Sequence, residues 1–313
     1  MLSRTAESLF WLARYIERAE NLARILDVTH RLDALPSTYS GTGNHWQSAI
    51  ATAVAEDAFS AAHDNIGRDS VTNFIIEGDK NPSSIRRCIE SARSNARAVR
   101  NAITTEMWEE INSAYLRLQK LKIRKAHPGD MAQFIGFIKE TSLRFDGAAY
   151  RTMLRDDSYW FERLGLFIER ADNTARLLDV KYHVLLPEHE MVGGGLDYFQ
   201  WTAVLRSVSA QSSFHYHYRE SVKPWLVADF LILRPEQPRS LVACYRELQQ
   251  FLEALAELYG RQGPAQRLAR SRLSRLETID INSLFQGGLH EFLTEFLADN
   301  NALGQAIAQQ YLS

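Results

Sequence analysis

Five polar residues occur twice in this chain with the same spacing. Glu17, Arg18, Asn21, Arg24 and Asp27 recur as Glu169, Arg170, Asn173, Arg176 and Asp179, at a constant offset of 152. Carboxylates and guanidiniums three or four residues apart can pair with one another through charge-assisted hydrogen bonds. Facing a cleft, the same groups can bind a polar substrate or act in acid-base chemistry. Solvent-exposed polar positions usually tolerate exchange, so their retention in both copies points to a constraint acting on each.

The element that carries them is a long amphipathic helix. Leu9, Leu12, Ile16, Ala19, Ala23 and Leu26 fall on one helical stripe, as the 3.6-residue period requires. With Ile16 set at 0°, Arg24, Glu17 and Asn21 lie near ~80°, ~100° and ~140°, a polar stripe beside the apolar face. Glu20 and Asp27 lie near ~40° and ~20°, inside the apolar sector, where a carboxylate is costly unless paired. Arg24 is placed to pair with either. Two readings stay open at this point: a buried charge network that fixes register or docks one repeat on the other, or a site that binds a polar ligand.

The repeat is wider than these residues. Ile16–Val28 lies over Ile168–Val180 with ten of thirteen positions identical, and the changes Glu20 to Asp172 and Ile25 to Leu177 keep charge and bulk. Further on, Val71, Asn73, Phe74 and Ile76 match Val227, Asp229, Phe230 and Ile232, and Pro82, Ser84 and Cys88 match Pro238, Ser240 and Cys244, now at an offset of 156. The chain therefore reads as two homologous units, 1–150 and 151–313, expected to pack as one body with pseudo-twofold related halves.

Asn81-Pro82-Ser83-Ser84 resembles a helix start, with proline early and a serine cap, and predicts a helix over about 83–104. Trp108, Ile111, Tyr115 and Leu118 predict the next, and His127-Pro-Gly-Asp130 reads as a turn. Met131–Arg144, Leu241–Tyr259, Leu284–Leu297 and Ala302–Leu312 continue the helical pattern, while Gly193–Gly195 forms a glycine-rich loop. The apolar runs Phe74–Ile76 and Phe230–Leu233 fit a strand or a buried helix equally well. With glycine (16) and proline (8) both scarce, the expected fold class is all-α, a tandem duplicated helical bundle.

Composition excludes several functions. A chain of 313 residues with 45% hydrophobic and 24% charged residues is globular rather than disordered, and 36 basic against 38 acidic residues provide no excess for nucleic acid. No apolar run approaches the roughly 20 residues of a membrane span, and no signal peptide is evident. Two widely separated cysteines, Cys88 and Cys244, suit a reducing, cytoplasmic compartment and read as buried small residues. Glycine-rich nucleotide fingerprints are missing, His290-Glu291 lacks the second histidine of a zinc-protease motif, and His215 and His217 point apart on a helix. Neither a metal nor a cofactor on this chain is expected.

Three weaker polar groups remain. Arg93, Asn95, Arg97 and Arg100 make either a solvated basic face or a surface for anions and carboxylates. Arg155-Asp-Asp157 either favours the N-terminus of the second repeated helix electrostatically or joins the polar site. Arg267, Arg270, Arg272 and Arg275 read as a solvated face, with an acidic partner as the alternative.

The duplicated Ile-Glu-Arg-Ala blocks, the segments Asn81–Arg100 and Thr105–Asn112, Met153-Leu-Arg-Asp-Asp157 and Asn300–Tyr311 resemble the bacterial Alpha-E family across nearly the whole chain. The second repeat departs from the pattern after its serine cap, where Glu247–Ala256 replaces the Asn-Ala-Arg-x-Val-Arg segment. The resemblance implies a tandem helical protein associated with circularly permuted ATP-grasp ligases, transglutaminase-like proteins and N-terminal-nucleophile peptidases, acting in peptide synthesis or modification. It places the family's Glu-Arg motif on Glu17, Arg18, Glu169 and Arg170 and assigns no catalytic residue. Any ATP would then sit on the partner ligase. A helical component that binds a peptide or acyl substrate, a non-catalytic scaffold, and an independent enzyme are the alternatives.

Overall fold

The computed structural model describes residues 1–34, 45–53, 55–121, 128–183 and 195–312, and among these residues every regular element is helical. The first half holds α1 (Ser3–Asp33), α2 (His45–Thr52), α3 (Glu56–Ser60), α4 (Arg68–Glu77), α5 (Ile85–Ala98), α6 (Thr105–Lys120) and α7 (Pro128–Thr152). The second holds α8 (Asp157–His183), α9 (Gly195–Ser207), α10 (Gln211–Tyr218), α11 (Pro224–Ile232), α12 (Leu241–Tyr259), α13 (Pro264–Thr278), α14 (Ile281–Gly287) and α15 (Leu289–Ile307), closed by a π-helical turn over Ala308–Leu312. The ambiguous apolar runs lie in α4 and α11, buried on more than one side, which is why they show no amphipathic period.

Local chemistry fixes several boundaries. Ser84 and Ser240 cap α5 and α12 in the same way, each hydroxyl accepting from the backbone N–H three residues on, Arg87 at 3.4 Å and Ala243 at 3.0 Å. The helix after Asn81 ends at Ala98, earlier than periodicity suggests, because Thr104 already caps α6 through the Met107 N–H. Residues Pro128–Asp130 open α7 instead of forming a turn: proline lacks the N–H that a first helical residue leaves unused. His127 and residues 193 and 194 lie outside the described residues. The segments expected at Leu284–Leu297 and Ala302–Leu312 divide elsewhere: α14 ends at Gly287, and α15 runs on through Asn300, whose buried amide donates to the Ile168 carbonyl and accepts from the Tyr245 hydroxyl.

The two long helices α1 and α8 lie side by side and run in the same direction. Phe10 meets Gly165, Arg14 and Arg18 meet Glu169, and Glu17 meets Arg170, so partners advance together along both helices. Around this pair α5 and α7 pack on α1, and α12 and α15 pack on α8. One apolar core is continuous through Leu9, Leu12 and Ile16 of α1, Leu164 and Ile168 of α8, Ile89 of α5 and Leu248 of α12. No described helix is long and apolar enough to cross a membrane.

The close approach depends on Gly165. A Cβ built there would stand 2.1 Å from the Phe10 carbonyl oxygen, a backbone atom that cannot rotate away. Gly165→Ala is therefore expected to destabilise the protein by about 1–3 kcal/mol or more through forced separation of α1 from α8, measured as a lowered urea midpoint.

Candidate functional site

At the seam of α1 and α8 the repeated residues exchange partners. Glu17 on α1 accepts from Arg170 on α8 (Nη2 at 3.1 Å), and Glu169 on α8 accepts from Arg18 on α1 (Nε at 2.6 Å, Nη2 at 3.1 Å). Neither carboxylate is satisfied by its own helix. Glu17 is 0% exposed and Glu169 3%, so each needs its partner across the seam to offset lost hydration. The thiols of Cys88 and Cys244 lie near these pairs, fully buried, and burial pushes both up to about 12. They are inert small core residues, not nucleophiles.

Beyond this exchange the two sides differ. On one, Arg239, just before the Ser240 cap, reaches Glu17 (2.6 Å) and Glu20 (3.0 Å) together. Glu20 also accepts from Arg24 (2.8 and 2.5 Å) and from Ser142 of α7 (2.7 Å). Arg24 in turn donates to the Ser207 carbonyl and the Ser209 hydroxyl. Burial alone would raise the Glu20 carboxyl, but Arg239, Arg24 and the Ser142 hydroxyl outweigh it and hold the pKa at about 2. This half of the network is sealed, and it includes Glu20, which the helical geometry places in the apolar sector.

On the other side lies an open cleft of about 240 Å³ between α1, α8 and the start of α5. Arg14, Arg18, Asn21, Ser83, Glu169, Asp172, Asn173 and Arg176 face it, with Leu22, Thr52, Ala53 and Asn301 at its margins. Glu169 takes a second guanidinium from Arg14 (Nε at 2.8 Å); although burial opposes ionisation, Arg18 and Arg14 hold its pKa at about 2. Among the described residues Asp172 accepts hydrogen bonds from Arg176 alone (2.6 and 3.2 Å), and here burial prevails over Arg176, raising the carboxyl above its ordinary value.

Hydrogen-bond donors outnumber acceptors in this cleft. Among the described residues, both Nη atoms of Arg14 and the Nη1 of Arg176 have no hydrogen-bond partner, and the Nη1 of Arg18 has only the Ser83 hydroxyl at 3.4 Å. Asn173 is 4% exposed and its Nδ2 is a buried donor without an acceptor. An unmet buried donor is costly, and guanidiniums already braced by carboxylates are oriented for a charge-assisted bond to an oxyanion.

The other expected residues lie elsewhere. Asp27 binds Lys139 (2.6 Å) and Arg31 (2.9 Å), and Asp179 contacts His290 (2.7 Å), so these two carboxylates tie α1 to α7 and α8 to α15. Arg93 donates to Asn112 and lies over Tyr115, Arg100 lies over Trp108, and neither they nor Arg97 line the cleft; Asn95 faces a separate surface groove with Trp11 and Tyr15. Asp156 caps the start of α8 through the Ser158 and Tyr159 N–H groups. Arg270, Arg272 and Arg275 are paired with Glu253, Asp299 and Glu295 respectively, while Arg267 is exposed on the same helix with no ion pair among the described residues. Arg14, Ser83 and Arg239 are the residues that sequence reasoning missed; the signal was present, since the repeat places Leu166 opposite Arg14 and Arg239 opposite Ser83.

The fold and site define an all-helical protein whose two longest helices are joined through exchanged Glu-Arg pairs. The chain belongs to the Alpha-E family, described as a predicted alpha-helical domain with a conserved ER motif, which matches residues 1–312. It is also similar to uncharacterized proteins of Mycobacterium bovis and Mycobacterium tuberculosis, 23% identical over 327 residues that include 96% of this chain and 35% of each relative. The chain thus spans about a third of the length of those relatives. No solved structure matches it significantly.

Glu17→Ala leaves Arg170 buried without its carboxylate and Arg239 with Glu20 alone, and is expected to cost about 3–5 kcal/mol in a denaturant titration. The folded pKa values of Glu20 and Glu169 lie below the ordinary 4.5, so the stability they contribute is present above pH 4.5 and is lost as pH falls toward 2. The urea midpoint is expected to drop through that window, and Glu169→Gln is expected to flatten the drop.

Proposed function

We infer that this protein is the substrate-holding helical component of a bacterial peptide synthesis or modification system, and that its cleft takes a peptide or acyl substrate by a carboxylate. The observation that carries the reading is the donor surplus: three guanidiniums and Asn173, whose buried amide nitrogen has no acceptor among the described residues, line one open space between both repeated helices. The two halves are read as duplicates related by a pseudo-twofold axis along the α1–α8 seam. The reciprocal Glu17–Arg170 and Glu169–Arg18 pairs and the twin serine caps support that relation.

The partnership with a circularly permuted ATP-grasp ligase rests on the family resemblance, with ATP on the ligase and a transglutaminase-like protein or peptidase in the same system. The scaffold reading applies to the sealed half, where Glu17, Glu20, Arg24, Arg170 and Arg239 are spent on one another.

Ser83→Arg is the discriminating variant, because it places in the cleft the residue that fills the matching position in the other repeat. The expected outcome is a folded protein, by circular dichroism and thermal melting, that no longer binds a short peptide with a free C-terminus in calorimetric titration. The parent is expected to bind that peptide and to lose at least about tenfold in affinity when its C-terminus is amidated. Equal affinity for the two peptides would overturn the carboxylate reading, and co-purification with the ligase tests the partnership.

A further inference from the structure

The repeat contains its own example of what completes this polar cluster. Aligned through their serine caps, Arg239 of the second unit matches Ser83 of the first, and Glu20 on α1 matches Asp172 on α8. In the sealed half the Arg239 guanidinium stands between two carboxylates, 2.6 Å from Glu17 and 3.0 Å from Glu20. In the open half both substitutions shorten a side chain at the corresponding place: arginine becomes serine and glutamate becomes aspartate. The volume they release lies in the cleft, which both Ser83 and Asp172 line.

Charge is redistributed with the volume. Arg14, whose match in the other unit is Leu166, gives Glu169 the second guanidinium that Arg239 gives Glu17. Asp172 receives no such replacement. Its counterpart Glu20 accepts from two guanidiniums and a hydroxyl, whereas Asp172 accepts from Arg176 alone. Each half holds three guanidiniums and two carboxylates in this set, a balance of one positive charge. A ligand with a cation and an anion leaves that balance unchanged; a purely anionic or cationic one alters it.

Resting on the carboxylate reading above, we propose that the cleft binds a zwitterion, a free amino acid or short peptide with both termini unblocked. Its ammonium rests on Asp172, where Arg239 stands beside Glu20 in the other half, and its carboxylate meets Arg14, Arg18, Arg176 and the Asn173 amide. Asp172 is the residue that selects for the amino group. The juxtaposition of one part-exposed carboxylate, bonded by Arg176 alone among the described residues, with a surplus of donors across the same space distinguishes this site from a simple anion pocket.

The test is calorimetric titration of the intact chain at pH 7 with glycylglycine and with N-acetylglycine, which keeps the carboxylate and removes the cation. Glycylglycine is expected to bind at least about tenfold more tightly. Asp172→Asn is expected to bring the two ligands to within about threefold by weakening glycylglycine more than N-acetylglycine, and Asp172→Glu to retain the preference, each variant remaining folded by circular dichroism. If N-acetylglycine binds the parent as tightly as glycylglycine, or if Asp172→Asn keeps the preference, the zwitterion proposal fails and the carboxylate reading survives. If neither ligand binds, both fail.

Discussion

The constraint on which the structure depends is the burial of Glu17 and Glu169 side by side at the seam of α1 and α8. An ionised carboxylate stripped of water costs several kcal/mol, and the guanidiniums that offset it sit on the opposite helix. Neither long helix can satisfy its buried glutamate alone, so the two must lie together, run in the same direction and hold one register. Sliding one helix by a turn would separate both pairs at once. Parallel helices cannot be joined by a short loop, and the chain between them makes the return with α2–α7. The same requirement explains Gly165, the point where the α8 backbone approaches the Phe10 carbonyl closely enough for the pairs to form.

Much of this was legible in the sequence because local physics decides it. The α12 boundaries, Leu241 and Tyr259, follow from a serine cap at one end and Gly260 at φ 64° at the other. Helical geometry places Glu20 in the apolar sector, and the structure buries it against Arg24, i+4 as expected. What was not legible depends on neighbours distant in the chain. Asn300 looks like a break, yet its amide is spent on α8 and α12, so α15 continues. Asp27 has the same helical angle as core residues, but it pairs with Lys139 of α7 at a site where both side chains keep about a fifth of their exposure. Periodicity places a side chain on a face; it does not say which arginine of another helix will meet it. Only the mismatches within the repeat, Leu166 for Arg14 and Arg239 for Ser83, mark where the two sides diverge.

On the proposed reading, that divergence separates scaffold from site. In the sealed half every charged group has its partners within the chain, so nothing remains for a ligand to satisfy. In the open half the pairs to Glu169 and Asp172 hold Arg14, Arg18 and Arg176 by their Nε or one Nη edge, leaving other N–H groups fixed in direction and unspent. A guanidinium held in this way loses little further side-chain entropy when an oxyanion arrives, which is the advantage of a preorganised site. The carboxylates thus have two roles at once: they make burial of the arginines tolerable, and they aim the donors that stay free. On the proposed reading the site arises by displacement: serine stands where the other half has Arg239, Arg14 supplies the third guanidinium from the other side of Glu169, and the gap left beside Asp172 is the place that Arg239 fills beside Glu20.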